Sequence, residues 1–216
     1  MEKRKSFVVP AALFFSILLV CGYAQEHKAT GLPAPQKTGG MPLMEALAGR
    51  QSTREFSPRG LSSQMLSNLL WAAFGVNRTD SGKRTAPSAM NCQEIDIYVA
   101  TVNGVFLYDA KVNNLKPIIE EDIRVFCSRQ SFVKVAPVLL LYVADYSRTR
   151  APAGARDFYS AADTGFISQN VYLFCASEGL ATVVMGMVDK DAISKKLGLT
   201  ENQKIMLAQP VGYRAQ

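Results

Sequence analysis

Apolar residues recur at helical spacing over Met65, Leu66, Leu69, Leu70 and Ala73, which predicts an amphipathic helix opened by Ser62-Ser63-Gln64 and stopped at Gly75. Ile95, Ile97 and Val99 alternate with Asp96 and Tyr98 as in a strand, and Val102-Asn103-Gly104-Val105 predicts a hairpin into a second strand over 105–108. Residues 138–143 are apolar without alternation, as expected of a strand buried on both faces at a sheet centre. Residues 159–178 have the length and spacing of the longest helix, closed by Gly179, and residues 120–130 read as a further helix. Residues 77–89 read as a polar loop. Residues 181–188 and 205–213 read as strands on either side of a short helix, 190–197, that Gly198 ends. With no repeat and no internal linker, this order predicts one α+β domain over residues 42–216, a mixed, mainly antiparallel sheet with helices packed on it.

The chain ahead of residue 42 has a different pattern. Lys3, Arg4 and Lys5 precede an apolar run, Phe7 to Val20, and Gly22-Tyr23-Ala24 places small residues where a signal peptidase cuts. Residues 1–24 are therefore expected to be an export signal cleaved after Ala24, with a periplasmic product. The apolar run is shorter than the ~20 residues a spanning helix needs. A permanent membrane tether is the alternative, and membrane contact is expected only if the segment is uncleaved. Lipid attachment at Cys21 has a poor signal, because Val20 stands where a small residue is wanted. Residues 25–41 are rich in Gly, Pro, Lys and Thr and read as a flexible linker.

Removal of residues 1–24 takes away Lys3, Arg4, Lys5 and Glu2, and the formal net charge falls from +6 to +4. No basic run with interleaved aromatics remains, so a nucleic-acid partner is not expected. Cys92, Cys127 and Cys175 form no CxxC pair, and His27 is the single histidine, which argues against a zinc site or a Cys/His nucleophile. Cys175 lies in an apolar helical pattern and reads as a core residue.

Three segments carry candidate chemistry. In Arg50-Gln51-Ser52-Thr53-Arg54-Glu55-Phe56, an extended backbone would turn Arg50, Ser52 and Arg54 to the same side, where guanidinium forks and a hydroxyl suit an anion such as a phosphate. Ala86-Pro87-Ser88-Ala89-Met90-Asn91-Cys92-Gln93 is a turn that presents small residues and two amides, groups able to pair with a heterocycle edge. The stretch from Gly179 to Met185-Gly186 leads the long helix into a strand and ends on a glycine, where backbone can approach a flat ring closely.

In this order, Arg50-x-Ser52-x-Arg54-x-Phe56, Pro87-Ser88-x-x-Asn91-x-Gln93, Gly179-Leu180, Met185-Gly186 and Val211-Gly212-Tyr213 resemble the nitroreductase family of flavin-dependent oxidoreductases over about residues 42–214. Asp163-Thr164-Gly165-Phe166-Ile167-Ser168-Gln169-Asn170 is most similar to the branch related to peptide azoline dehydrogenases. The resemblance implies a homodimer with an FMN at each of two sites across the interface. Arg50 and Ser52 would hold the phosphate, and Arg54 would sit at the pyrimidine edge of the flavin. Pro87, Ser88 and Asn91 would come from the second subunit, and Met185 and Gly186 would approach ring N5 through backbone groups. Gln130 would be a further polar contact. Many members carry basic residues on an arm after the last strand; here Arg214 is the late candidate. Met185 stands where typical members have an acidic residue.

No side chain is implied as an obligate acid or base, so none is assigned as catalytic. The implied activity is hydride transfer between FMN and a small planar, electron-poor substrate such as a nitroaromatic or quinone. Alternatives are dehydrogenation of an exported peptide-type substrate, or flavin binding without turnover.

Overall fold

The computed structural model describes residues 29–216, so the expected export signal lies outside the described residues. The elements run β1 (Thr30–Gly31), α1 (Leu43–Gly49), α2 (Ser63–Phe74), β2 (Val76–Arg78), β3 (Lys83–Arg84), β4 (Ile95–Thr101), β5 (Gly104–Asp109) and β6 (Asn114–Ile119). They continue with α3 (Arg124–Cys127), α4 (Phe132–Val135), β7 (Val138–Asp145), α5 (Arg156–Ser177), β8 (Leu180–Thr182), α6 (Lys190–Leu197) and β9 (Gln203–Tyr213). Seven strands form one sheet in the order β1-β6-β5-β4-β7-β9-β8, and every neighbouring pair in it is antiparallel. The fold is the expected α+β class.

β7 divides the core. Val138, Leu140, Tyr142 and Ala144 face one side of the sheet, where Leu69 and Leu70 of α2 and Ile167, Val171 and Cys175 of α5 cover them. Leu139, Leu141 and Val143 face the other, against Ile123, Cys127, Val133, Ile193 and Leu197. This two-sided burial is why the run lacks alternation. The α2 ends are as expected at the start: the Ser62 hydroxyl accepts from Met65 N at 3.1 Å, and Gly75 follows the last turn. In α5 the buried stripe is Ser160, Asp163, Thr164, Ile167, Ser168, Val171, Tyr172 and Cys175, half of it polar.

Several segments differ from expectation. Residues 29–41 are not a loose linker: Pro33 and Pro35 favour an extended chain whose polar groups find partners on the body of the protein. Ser67 Oγ donates to Pro33 O at 2.5 Å, Gln64 Nε2 to Ala34 O at 2.9 Å, Gln36 N to Asn68 Oδ1 at 2.8 Å and Met41 N to Ser177 Oγ at 2.8 Å. Residues 120–130 contain only the one-turn α3, because Asp122 and Arg124 form a side-chain pair that turns the chain instead of continuing a helix. Residues 77–89 include the two-stranded β2–β3 ribbon. The strand expected over 181–188 stops at Thr182, after which only Met185 pairs again, with Ala208. β6 carries no strand pattern in the sequence because Lys116 and Pro117 interrupt it; next to the proline, Ile118 is the extra residue at which the β5–β6 register shifts.

Candidate cofactor site

Arg50 follows α1 directly and turns the chain to extended backbone (φ −62°, ψ 123°). The segment then lies along the end of the sheet. Thr53 N donates to Thr182 O at 2.9 Å, Ser57 N to Tyr213 O at 2.8 Å, and Phe56 bridges Arg214. The buried Phe56 ring packs 6.0 Å from that of Phe132 and anchors the segment. Arg50 and Ser52 consequently share a side, as their spacing predicts. Both meet Tyr172 of α5: the Arg50 guanidinium lies over its ring at 5.3 Å, and Ser52 Oγ is 2.8 Å from its hydroxyl.

That hydroxyl also accepts from Val184 N at 2.8 Å. One buried phenol therefore joins the arginine-serine segment, the long helix and the loop that leads to Met185-Gly186. Tyr172→Phe should leave the Val184 N–H without its partner and lower stability by about 1–3 kcal/mol. Thermal or urea unfolding of the pure variant measures this, and an unchanged midpoint would remove the phenol from the scaffold's design.

The electrostatics favour an anion. Among the described residues no carboxylate forms an ion pair with Arg50, Arg54 or Arg214. Arg54 is exposed. Arg214 is tethered by Gln51, whose amide oxygen, placed by its hydrogen bonds, accepts from both terminal guanidinium nitrogens at 2.9 Å.

On the next loop, Met185 engages both main-chain groups with Ala208, at 2.7 and 2.9 Å. An antiparallel bridge thus fixes the Met185 backbone beside β9. Gly186 is exposed and uses its carbonyl to accept from Val188 N, leaving its N–H as a donor that this loop presents. Gln130 borders a groove of about 690 Å³ together with Met187 and Val188, so it does lie on the same flank as Gly186.

Pro87, Ser88 and Asn91 form a separate cluster. Ser88 Oγ accepts from Gln93 N at 2.9 Å, and Gln93 Nε2 donates to Asn91 Oδ1 at 3.2 Å. Met90, Asn91 and Gln93 hold left-handed backbone (φ 53°, 52° and 50°), and Ala89 N donates to Asp163 Oδ2 at 2.8 Å. Asp163 and Tyr172 are nine positions apart on α5, about 13.5 Å along its axis at ~1.5 Å per residue. A single chain therefore does not bring this turn to Arg50 and Ser52.

Sequence reasoning passed over Tyr172, Gln51 and Val184. Only Tyr172 left a trace: a phenol on the buried stripe of a helix needs a hydrogen-bond partner. Gln51 and Val184 act through tertiary placement and carry no motif.

The fold is shared with solved nitroreductase structures. A protein from Ralstonia eutropha whose crystal structure is described as that of a nitroreductase is 40% identical, with a TM-score of 0.84 over 89% of this chain and 92% of that one. An NADPH:FMN oxidoreductase from Vibrio harveyi, solved with NAD+, has the same fold at 20% identity, with a TM-score of 0.61 over 81% of this chain and 69% of that one. A Methanocaldococcus jannaschii protein that carries the name of nitroreductase is 32% identical over 185 residues, 81% of this chain and 92% of that protein. Residues 47–213 match the Nitroreductase family, and the chain belongs to it.

Proposed function

We propose that the protein is an exported, homodimeric FMN-dependent oxidoreductase that passes hydride to or from a small planar, electron-poor substrate. The observation that carries this reading is the convergence of Arg50 and Ser52 on Tyr172, with no carboxylate among the described residues in an ion pair with the arginine. The donor set fits the cofactor: two or three guanidinium groups and a hydroxyl suit a terminal phosphate. No GxGxxG loop that would suit a dinucleotide occurs in the chain.

When bound, FMN supplies hydride transfer at ring N5. Arg50 and Ser52 would hold its phosphate, with Arg214 as the later cationic contribution. Arg54 would stand at the pyrimidine edge, where a fixed positive charge stabilises the charge that reduction leaves. The Gly186 N–H would face the ring, and Gln130 would flank it. Pro87, Ser88 and Asn91 would complete the site from the second subunit.

Support for the homodimer comes from exposed apolar residues on α1 and the adjacent α5: Leu43 (62% exposed), Met44 (75%) and Phe166 (49%). Export rests on residues 1–24. The stretch from Asp163 to Asn170 favours a second reading, oxidation of an exported peptide-type substrate, which would remove the need for a nicotinamide donor outside the cytoplasm.

The purified protein is expected to be yellow and to release FMN on denaturation. Chromatography of the released chromophore checks this. FAD alone, or no flavin uptake by the protein when free FMN is added, would sink the reading.

A further inference from the structure

Glu94 lies at the base of the Pro87–Gln93 turn, just before β4, and is 1% exposed. Its Oε1 accepts from Ser160 Oγ at 3.0 Å, while its Oε2 is buried with no partner. Asp163, three residues further along α5, is 2% exposed and sets its carboxyl within hydrogen-bonding reach of the Glu94 carboxyl. The other Asp163 contact is the one already described, Oδ2 with Ala89 N at 2.8 Å. Two buried carboxyls thus face each other under the turn, and one of them grips that turn's backbone.

The surrounding charges do not neutralise the pair. Arg148 donates to the Glu94 carbonyl, not to its carboxyl, and pairs with Asp96 and Asp145. Arg156, one turn before Ser160, has a buried Nε with no partner. The Tyr146 hydroxyl is held by Asp157, which Lys204 also binds. Arg84 donates to Gln93 Oε1 at the far end of the turn, and Arg150 meets Cys92 only through its backbone N–H.

We infer that Asp163 is the positioning residue for the Pro87–Gln93 turn and that one proton shared with Glu94 decides whether the turn is held. With the proton present, an O–H from one carboxyl occupies the gap between the two, and Asp163 keeps its other oxygen for Ala89 N–H. When the proton leaves to solvent, two carboxylates oppose each other in a site without a counter-charge, and Asp163 is driven from Glu94. Three consecutive contacts then loosen: Asp163 with Ala89, Ser88 with Gln93, and Gln93 with Asn91. Burial, with the Glu94 charge beside it, pushes the Asp163 carboxyl up to about 6, against the opposing pull of the Ala89 N–H. The raised value means that the protonated arrangement is favoured below about pH 6 and lost as pH rises through it.

The consequence for cofactor binding rests on the FMN reading above, because the turn carries Ser88 and Asn91. Two measurements separate them. In the cofactor-free protein, the Ala89 amide proton shift should titrate between pH 5 and 8 with a midpoint near 6. In Asp163→Asn the amide group mimics the protonated acid, donating to Glu94 and accepting from Ala89, so the Ala89 shift should stay flat. Asp163→Leu should speed exchange of the Ala89 amide at every pH; if the leucine variant does not fold, Glu94→Gln, which removes the opposing charge but not the burial, should move the Ala89 midpoint down, and an unmoved midpoint would take Glu94 out of the pair. FMN affinity of the wild type should fall by about tenfold over the same pH range, the change that one unit of linked pKa difference produces. The asparagine variant should show no such fall.

A wild-type Ala89 shift that does not titrate, or an asparagine variant that titrates like wild type, overturns the positioning role. So does an FMN affinity that is independent of pH in a protein that binds FMN. If the wild type takes up no FMN, the functional reading fails, while the Ala89 titration still decides the role of Asp163.

Discussion

Arg50→Ala is expected to weaken FMN binding by roughly tenfold or more, whereas Arg54→Ala should lower the flavin reduction potential and slow reduction with a smaller effect on affinity. The two arginines differ in setting. Arg50 is partly buried and stacked on Tyr172, beside the Ser52 hydroxyl, so its fork is already oriented. Alanine there forfeits charge-assisted hydrogen bonds of about 1.5–3 kcal/mol each, and every ~1.4 kcal/mol is a factor of ten in affinity. It also forfeits the stacking that holds the group in place, worth about 0.5–1 kcal/mol. Arg54 is exposed and has no ion-pair partner among the described residues, the setting of a charge that acts at a distance on a ring edge. Fluorescence titration gives the affinities and spectroelectrochemistry the potentials. Equal losses of affinity with unchanged potentials in the two variants would contradict the division.

A second large effect is expected when subunits are mixed. Arg50→Ala and Asn91→Ala homodimers should each bind FMN poorly, because each site lacks one of its two sides. In a heterodimer of the two variants, one shared site carries both defects and the other carries neither. Flavin binding should return toward half the wild-type level after subunit exchange. The distance along α5 between the Tyr172 and Asp163 contacts motivates the test, since it separates the two motifs within a chain. No recovery, in subunits shown to exchange, would place Arg50 and Asn91 in the same chain's site.

What could be read in the sequence followed from periodicity and punctuation. The α2 helix, the β4–β5 hairpin, the β7 strand and α6 with its left-handed Gly198 cap each combine a regular pattern with a clear stop. The Arg50–Phe56 segment was legible because an extended chain obeys a period of two. Elements governed by tertiary contacts were not. The 29–41 arm has the composition of a linker, yet α2 and α5 supply donors to its carbonyls and acceptors to its amides. Nothing local to Met185 reveals its bridge to Ala208. Tyr172 sits on a helix stripe so rich in small and polar residues that a phenol among them reads as packing until Ser52 and Val184 are seen beside it.

The two-faced core also bears on redox chemistry. Cys175 lies in the cluster on one side of the sheet and Cys127 in the cluster on the other, so the folded protein keeps these thiols apart by the thickness of the sheet. Burial pushes Cys127 up to about 12 and Cys175 higher still, which leaves almost no thiolate for disulfide exchange. Among the cysteines of the described residues, only Cys92, half-buried beside the Arg150 amide, is within reach of an oxidant. In an oxidising compartment the domain would thus resist mispairing of its two core cysteines without a disulfide of its own, provided that the sheet closes before those thiols meet.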